Sequence, residues 1–209
     1  MVEETRPTRI AFDQRIAKFV VKGLARTPVS PNAVTAFSIV VGLCAAWLFS
    51  QGGVWAYYGA GVFVIAVWMD HVDGELARTI GKTSEFGHYF DHAAAMTNYV
   101  AMFLGAGIGL QGGDLGEWAI SLGIAAGVGV ASIMTLRMYA ETKVGRASMK
   151  QTVRAGFEIE DTLYVTAPLT WIGILEEFIL MAGIGAPVFL IFVIWDFVRK
   201  SRSVGMGDQ

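Results

Sequence analysis

Three acidic side chains lie beside apolar segments that are long enough to cross a lipid bilayer: Asp70, Asp73 and Asp91. A charged group at membrane depth is energetically costly, so an aspartate in such a place usually serves a function. Clustered carboxylates repel one another unless a cation neutralises them, and oxygen ligands favour Mg²⁺, Mn²⁺ or Ca²⁺ over softer metals. The three aspartates therefore predict a site for a divalent metal ion.

The spacing of the neighbouring residues predicts two helix faces that would meet at this site. The first face holds Asp70, Asp73, Gly74, Ala77 and Arg78, and the second holds Gly87, Asp91 and Ala95. Because successive helical residues are rotated by about 100°, the first set falls within an arc of about 140°. The second set follows an i, i+4, i+8 line. The small residues on both faces would leave room for a ligand against the backbone.

A metal ion next to an arginine indicates a phosphorylated ligand, because Mg²⁺ typically binds one or two carboxylates together with substrate phosphates. Arg78 supplies the cation, so a donor with a nucleotide headgroup fits the site. The alternative is a set of isolated aspartates at helix ends, paired with Arg78 or Lys82, but the regular spacing favours the metal site. The nearby histidines, His71, His88 and His92, are predicted to make ordinary polar contacts rather than to bind zinc or iron.

The elements that must position these residues are membrane helices. Of the 209 residues, 54% are hydrophobic and 16% are charged, and the mean hydropathy is +0.51. The apolar residues form blocks close to the roughly 20 residues that cross a bilayer. We predict an all-α, polytopic membrane protein with six spans at residues 31–50, 54–69 (or as far as 80), 86–110, 118–139, 161–175 and 178–198. The turn between the last two spans is predicted at Glu176 and Glu177, with residues 183–187 as the alternative.

The distribution of basic residues predicts the orientation of these spans. All 16 lysines and arginines lie before the first span, after the last span, or in and beside the connections that follow the second and fourth spans. By the positive-inside rule, both termini and the aspartate-bearing connection face the cytoplasm. The membrane is expected to be the inner membrane of the cell. Topology thus accounts for the basic residues, and the sequence has no motif for binding nucleic acid.

The segment before the first span predicts an element that lies in the membrane interface. Residues 8–24 alternate apolar and basic side chains, as expected of an amphipathic helix bound to anionic lipid headgroups. The alternative is a polar leader that is only partly helical. Ser30 and Pro31 then predict an N-cap followed by a proline at the first helical position.

The spacing of the acidic and small residues closely resembles the signature of the CDP-alcohol phosphotransferase family of membrane enzymes. That signature reads Asp, two residues, Asp-Gly, two residues, Ala-Arg, eight residues, Gly, three residues, Asp, three residues, Asp. The resemblance covers most of the chain, including Pro31-Asn32-Ala33-Val34-Thr35 at the start of the first span. It implies that a substituted phosphate group passes from a CDP-linked lipid donor, such as CDP-diacylglycerol, to an acceptor alcohol, with release of CMP in phospholipid synthesis. It also implies a homodimer.

The same resemblance implies roles for individual residues. Asp70, Asp73 and Asp91 would bind one or two Mg²⁺ or Mn²⁺ ions, which would hold the pyrophosphate of the donor. The residues expected at the nucleotide are Asn32, Thr35, Asp70, Asp73, Gly74, Ala77, Arg78 and Gly87. We therefore divide the chain into a leader with the interfacial helix (1–30), a six-helix catalytic domain (31–200) and a cytoplasmic tail (201–209).

Charged residues at the end of the fourth predicted span and after it are candidates for binding the acceptor: Arg137, Lys143, Arg146, Arg154, Glu160 and Asp161. Basic side chains suit a phosphate-bearing acceptor such as inositol phosphate or glycerol phosphate. The positive-inside topology explains the same basic residues without any acceptor. The two acids could orient a hydroxyl group of the acceptor or simply cap the fifth helix.

One position departs from the family pattern, because Ala95 stands where the family has its last aspartate. In the family that residue joins the metal site and deprotonates the acceptor hydroxyl. Loss of a general base costs about 10²–10⁴-fold in rate, so we predict slow or absent turnover. Ala95 would be either an engineered substitution that traps a substrate complex, which the intact neighbouring residues favour, or natural divergence. In the second case the chain would be a catalytically dead subunit that binds the donor or assists assembly. An ion transporter is disfavoured, because acidic residues are scarce in the outer halves of the spans.

Overall fold

The computed structural model describes residues 12–144 and 164–205, and these ranges are largely helical. In chain order the helices are α1 (Phe12–Leu24), α2 (Pro31–Ser50), α3 (Gly53–Thr79), α4 (Glu85–Gly109), α5 (Trp118–Val144), α6 (Thr166–Trp171) and α7 (Leu175–Gly205). No strand occurs within the described ranges, in agreement with the predicted all-α class.

Four stretches of the described helices are long and apolar enough to cross a membrane: Pro31–Ser50, Gly53–Thr79, Trp118–Tyr139 and Leu175–Arg199. Many large apolar side chains on their surfaces are exposed, which suits a lipid environment. The prediction of six spans is not confirmed. Helix α4 covers the predicted third span but does not meet the same requirements of length and apolar composition. In the described part of the predicted fifth span, the only helix that is complete is the six-residue α6.

The start of α2 is fixed by the residues that the sequence analysis singled out. Ser30 has extended backbone angles, and its Oγ accepts a hydrogen bond of 3.2 Å from the backbone N–H of Ala33. Pro31 occupies the first turn, where its missing N–H costs no helical hydrogen bond. The predicted N-cap is therefore confirmed, and it sets the position of the side chains on the first turns of α2.

The predicted turn at Glu176 and Glu177 is wrong, because both residues lie in the first turn of α7. The chain turns instead between α6 and α7, where Gly173 has a φ of +84°, a backbone conformation that side-chain-bearing residues rarely adopt. Two acids at a helix N-terminus interact favourably with the positive end of its dipole. The alternative turn at residues 183–187 is also wrong, since α7 continues through Pro187.

Glycines allow α2 to pack closely against α4, and α4 against α5. A Cβ atom added to Gly105 would lie 2.2 Å from the backbone oxygen of Ala46, and one added to Gly123 would lie 2.4 Å from that of Phe103. The helices can approach this closely only because glycine has no side chain at these two positions. The close packing brings the first turns of α4 next to α2, where the candidate site lies.

Helix α1 packs against the end of α3. Val21 is buried in an apolar cluster with Val34, Val72 and Leu76, whereas Lys22 on α1 is exposed. The apolar Val21 on α1 therefore packs against the protein, and the amphipathic helix predicted for this segment is not confirmed. Its location in the membrane interface stays a prediction.

Candidate functional site

A cavity of about 730 Å³ lies where the start of α2, the end of α3 and the start of α4 meet. Eight of the residues predicted to bind nucleotide or metal line it: Asn32, Thr35, Asp73, Gly74, Ala77, Arg78, Gly87 and Asp91. They are brought together because α3 continues as a single helix to Thr79. The second span was predicted to end at residue 69 or at residue 80, and the structure agrees with the later end. The signature residues of two helices therefore share one cavity.

The three predicted metal ligands are neighbours. The carboxyl groups of Asp70 and Asp91 are within hydrogen-bonding reach, and those of Asp73 and Asp91 are close enough to repel each other. Oδ1 of Asp73 and Oδ1 of Asp91 are buried without a hydrogen-bond partner. Carboxylates at this proximity require a shared proton or a cation. This donor set fits a divalent metal ion.

The three carboxyl groups are not arranged as a finished coordination shell. Within the described ranges, no group of three His, Cys, Asp or Glu side chains has the placement of a preformed metal site. Asp70 is half-buried and does not appear among the residues that line the cavity. Binding of a metal ion by all three aspartates would therefore require the Asp70 side chain to turn toward the cavity.

Thr35 contacts one of the aspartates directly. Its side chain is 3% exposed, and its Oγ1 donates a hydrogen bond to Oδ2 of Asp73, which is 2% exposed. The Thr35 hydroxyl also lies 3.2 Å from the backbone oxygen of Pro31. Thr35 was predicted to lie near the nucleotide, and the structure places it in the cavity wall with its hydroxyl on Asp73.

Arg78 lies at the mouth of the cavity and is held by a residue that the sequence analysis missed. Its Nε and Nη2 donate to Oε2 of Glu75 at 3.3 and 3.0 Å. A Cβ atom added to Gly74 would lie 3.5 Å from Nη1 of Arg78, so the guanidinium group sits over a bare stretch of backbone. The i, i+3 spacing of Glu75 and Arg78 was a signal that could have identified this pair.

Gly87 keeps the opposite wall of the cavity open. A Cβ atom at this position would lie 3.1 Å from Oγ of Ser84 and 3.4 Å from Oδ1 of Asn32. Ser84 caps α4 by accepting a 3.0 Å hydrogen bond from the backbone N–H of Gly87. Ser84 was not predicted, although a serine before an acidic first helical turn is a recognisable N-cap signal. Lys82 and Tyr89 also line the cavity and were missed.

Ala95 lies one helical turn beyond Asp91, in an apolar environment. It is 8% exposed and belongs to a cluster of buried apolar residues that includes Tyr99, Phe63 and Met134. It is not among the described residues that line the cavity. An alanine side chain therefore fits this position, and among the described residues no carboxylate belongs to the apolar cluster around it.

His71 makes ordinary polar contacts of the kind that were predicted for the three histidines. Nδ1 of His71 lies 3.3 Å from the backbone oxygen of Val67 and 3.4 Å from the hydroxyl of Tyr164. All three histidines lie near enough to Asp91 to interact with its carboxylate electrostatically: His71, His88 and His92.

Few of the candidates for acceptor binding can be placed. Arg137 is half-buried on α5, next to Met138, which lines the cavity. Lys143 lies in the last turn of α5. Four of the predicted residues lie outside the described ranges: Arg146, Arg154, Glu160 and Asp161.

Comparison with known proteins gives a match over most of the chain. A family model described as CDP-alcohol phosphatidyltransferase matches residues 28–195. A phosphatidylinositol phosphate synthase of Streptomyces avermitilis is 31% identical over 103 residues, which are 49% of this chain and 42% of the relative. A phosphatidylinositol phosphate synthase of Cutibacterium acnes is 27% identical over 137 residues, which are 62% of this chain and 64% of the relative. In both comparisons the chain spans less than two thirds of the relative's length.

Proposed function

Because the chain belongs to the CDP-alcohol phosphatidyltransferase family, we propose that its cavity binds a CDP-linked lipid and supports transfer of the substituted phosphate group to an acceptor alcohol. The observation that carries this proposal is the convergence of Asp70, Asp73 and Asp91 beside a cavity lined by small residues. In the reaction, an oxygen of the acceptor hydroxyl forms a bond to the donor phosphorus, and the bond from that phosphorus to CMP breaks. The acceptor hydroxyl also loses its proton.

The family generally uses divalent metal ions, and the three aspartates are the residues that would hold them here. We propose Mg²⁺ or Mn²⁺, at one or two ions per subunit. When bound, such an ion stabilises the negative charge that develops on the phosphoryl oxygens and on the leaving group. The aspartates themselves position the ligand from two helices at once, since Asp70 and Asp73 lie on α3 and Asp91 lies on α4.

The remaining cavity residues suit the nucleotide. A volume of about 730 Å³ lies within the range of about 300–1,000 Å³ that is typical of small-molecule sites. Gly74, Ala77 and Gly87 leave the backbone accessible, and Arg78 provides a cation for a phosphate oxygen. Asn32 contributes an amide close to Gly87.

We further propose CDP-diacylglycerol as the donor and a phosphate-bearing alcohol as the acceptor. Inositol phosphate is the first acceptor to test, because the two relatives are named phosphatidylinositol phosphate synthases. Arg137 on α5 is the candidate for a contact with its phosphate, since the next residue, Met138, lines the cavity. The proposal includes a homodimer in the inner membrane, with the site and both termini on the cytoplasmic side.

Ala95 bears on how fast the reaction can proceed. It offers no group that could accept the proton of the acceptor hydroxyl, and it lies among apolar side chains. We therefore propose that this chain binds the donor but turns over slowly or not at all. The same observation favours a second candidate function, a catalytically dead subunit that retains the donor site.

Release of CMP tests the proposal. Purified chain and an Ala95→Asp variant are each given CDP-diacylglycerol and a panel of acceptor alcohols, and CMP is quantified with Mn²⁺ present and after chelation. We expect metal-dependent release from Ala95→Asp with at least one acceptor. If neither protein releases CMP although both bind CDP, the subunit without activity is the better description. If neither protein binds CDP, both functions are refuted.

A further inference from the structure

We infer that Thr35 is a positioning residue, which holds the carboxylate of Asp73 in the orientation in which it receives a divalent cation. This inference rests on the proposed function, because that function makes Asp73 a metal ligand. It changes the role first expected for Thr35, from a contact with the nucleotide to a contact with the protein's own carboxylate.

The contact joins two helices that meet at the site. Thr35 lies on the second turn of α2, and Asp73 lies 38 residues further along the chain, near the end of α3. Both residues are more than nine-tenths buried, so water does not compete for the hydrogen bond. A buried hydrogen bond to a charged group is stronger and more directional than one at the surface.

The hydrogen bond distinguishes the two oxygens of the carboxylate. Oδ2 of Asp73 accepts the Thr35 hydroxyl, whereas Oδ1 is buried without a hydrogen-bond partner. A carboxylate that is bonded through one oxygen cannot rotate freely about its terminal torsion. Thr35 therefore leaves Oδ1 of Asp73 as the oxygen that is available to a cation.

The helix that carries Thr35 is itself well fixed. The Ser30 cap and Pro31 set the first turn of α2, and Oγ of Ser38 donates a 2.8 Å hydrogen bond to the backbone oxygen of Thr35. A threonine in a helix commonly donates to the carbonyl four residues earlier, here that of Pro31. Because the Thr35 hydroxyl has a single proton, it can donate to Pro31 or to Asp73 but not fully to both. A purely structural Thr35 would donate to Pro31, and the contact with Asp73 is what indicates a role at the site.

Loss of a residue that holds a metal ligand in place typically weakens metal binding by about 10–100-fold. Replacement of Thr35 by valine removes the hydroxyl and keeps the shape of the side chain. Thr35→Ser keeps the hydroxyl and removes only the methyl group. Thr170→Val is a matched control, because Thr170 is equally buried and its hydroxyl donates only to the backbone oxygen of Thr166.

The experiment measures binding of Mn²⁺ alone to the purified full chain in detergent, by the loss of the electron paramagnetic resonance signal of free Mn²⁺. We expect Thr35→Val to bind Mn²⁺ about 10–100-fold more weakly than the unchanged chain. Thr35→Ser should stay within about threefold, and Thr170→Val should match the unchanged chain. Binding of CDP without metal is measured in parallel and should be the same for all four proteins.

Several results would overturn the inference. One is unchanged Mn²⁺ affinity in a folded Thr35→Val, and another is a Thr35→Ser that is as weak as Thr35→Val. A loss of metal-free CDP binding with normal Mn²⁺ affinity would show that Thr35 contacts the nucleotide instead.

If Thr35→Val does not fold, Thr35→Ala removes the same hydroxyl without added bulk and is judged by the same criteria. If the unchanged chain binds no Mn²⁺, the proposed function fails together with the inference, whereas normal binding by every variant refutes the inference alone.

Discussion

An aspartate at position 95 should convert this chain into a faster enzyme at the expense of its stability without metal. Ala95 lies one helical turn from Asp91, so the Cβ atoms of the two positions are about 5–6 Å apart. A carboxylate at position 95 would lie on the same face of α4 as Asp91, and its longer side chain would have to extend toward the cavity to take the proton from an acceptor hydroxyl. Restoring a general base should raise the rate of CMP release by about 10²–10⁴-fold.

The surroundings of Ala95 determine the accompanying change in stability. The side chain is 8% exposed within an apolar cluster, and a carboxylate there would lose hydration and be repelled by Asp91. We therefore expect a lower melting temperature for Ala95→Asp in the presence of a chelator. Mn²⁺ at 100 times its dissociation constant should return about 2.7 kcal/mol of stability, because it binds only the folded state. Because the added carboxylate should tighten Mn²⁺ binding, the variant should gain more stability than the unchanged chain at the same Mn²⁺ concentration.

The assay compares Ala95→Asp with Ala95→Asn, which has nearly the same shape and no basic oxygen. CMP release and melting temperature are measured for each variant with Mn²⁺ and with chelator. The reasoning requires that only the aspartate variant gains activity. It would be refuted if Ala95→Asp is folded and binds Mn²⁺ and CDP but releases CMP no faster than Ala95→Asn.

Two further predictions concern contacts around the site. Glu75→Gln removes the charge that holds Arg78 in place. Because exposed ion pairs contribute about 0–1 kcal/mol, the affinity for CDP measured by calorimetry should fall by less than about fivefold. A larger loss would mean that Glu75 contacts the nucleotide. Gly105→Ala places a Cβ atom 2.2 Å from the Ala46 backbone oxygen and should cost about 1–3 kcal/mol in thermal unfolding. Gly61→Ala is the control, since its Cβ atom would lie 3.9 Å from the nearest atom, and equal stability of the two variants would contradict the observed packing.

The residues of the site could be predicted from the sequence because their arrangement depends on helical periodicity. Asp73, Gly74 and Ala77 fall on one face of α3 once that helix is recognised, and the cavity lies along this face. The start of α2 was predictable for a similar reason, since a serine before a proline is a local N-cap signal. Local signals of this kind do not depend on the rest of the fold.

The features that were missed depend on contacts between distant residues or on ambiguous polar pairs. The hydrogen bond from Thr35 to Asp73 arises from the packing of α2 against α3, which no local pattern encodes. Glu176 and Glu177 are as typical of a turn as of a helix N-terminus, and only the backbone angles of Gly173 decide between these alternatives. In the folded chain Oε1 of Glu176 also accepts a 2.6 Å hydrogen bond from the backbone N–H of Leu115, which lies in the connection between α4 and α5 and is distant in sequence.

The central claim is that carboxylates from α3 and α4 jointly hold a divalent cation that binds the CDP group. A crystal of the full chain grown with Mn²⁺ and CDP, measured at a wavelength where manganese scatters anomalously, tests this claim directly. We predict an anomalous peak within coordination distance of Asp70, Asp73 and Asp91, with the CDP phosphates on its open side. Three aspartates that point apart, with no anomalous peak between them while CDP is bound elsewhere, would contradict the account.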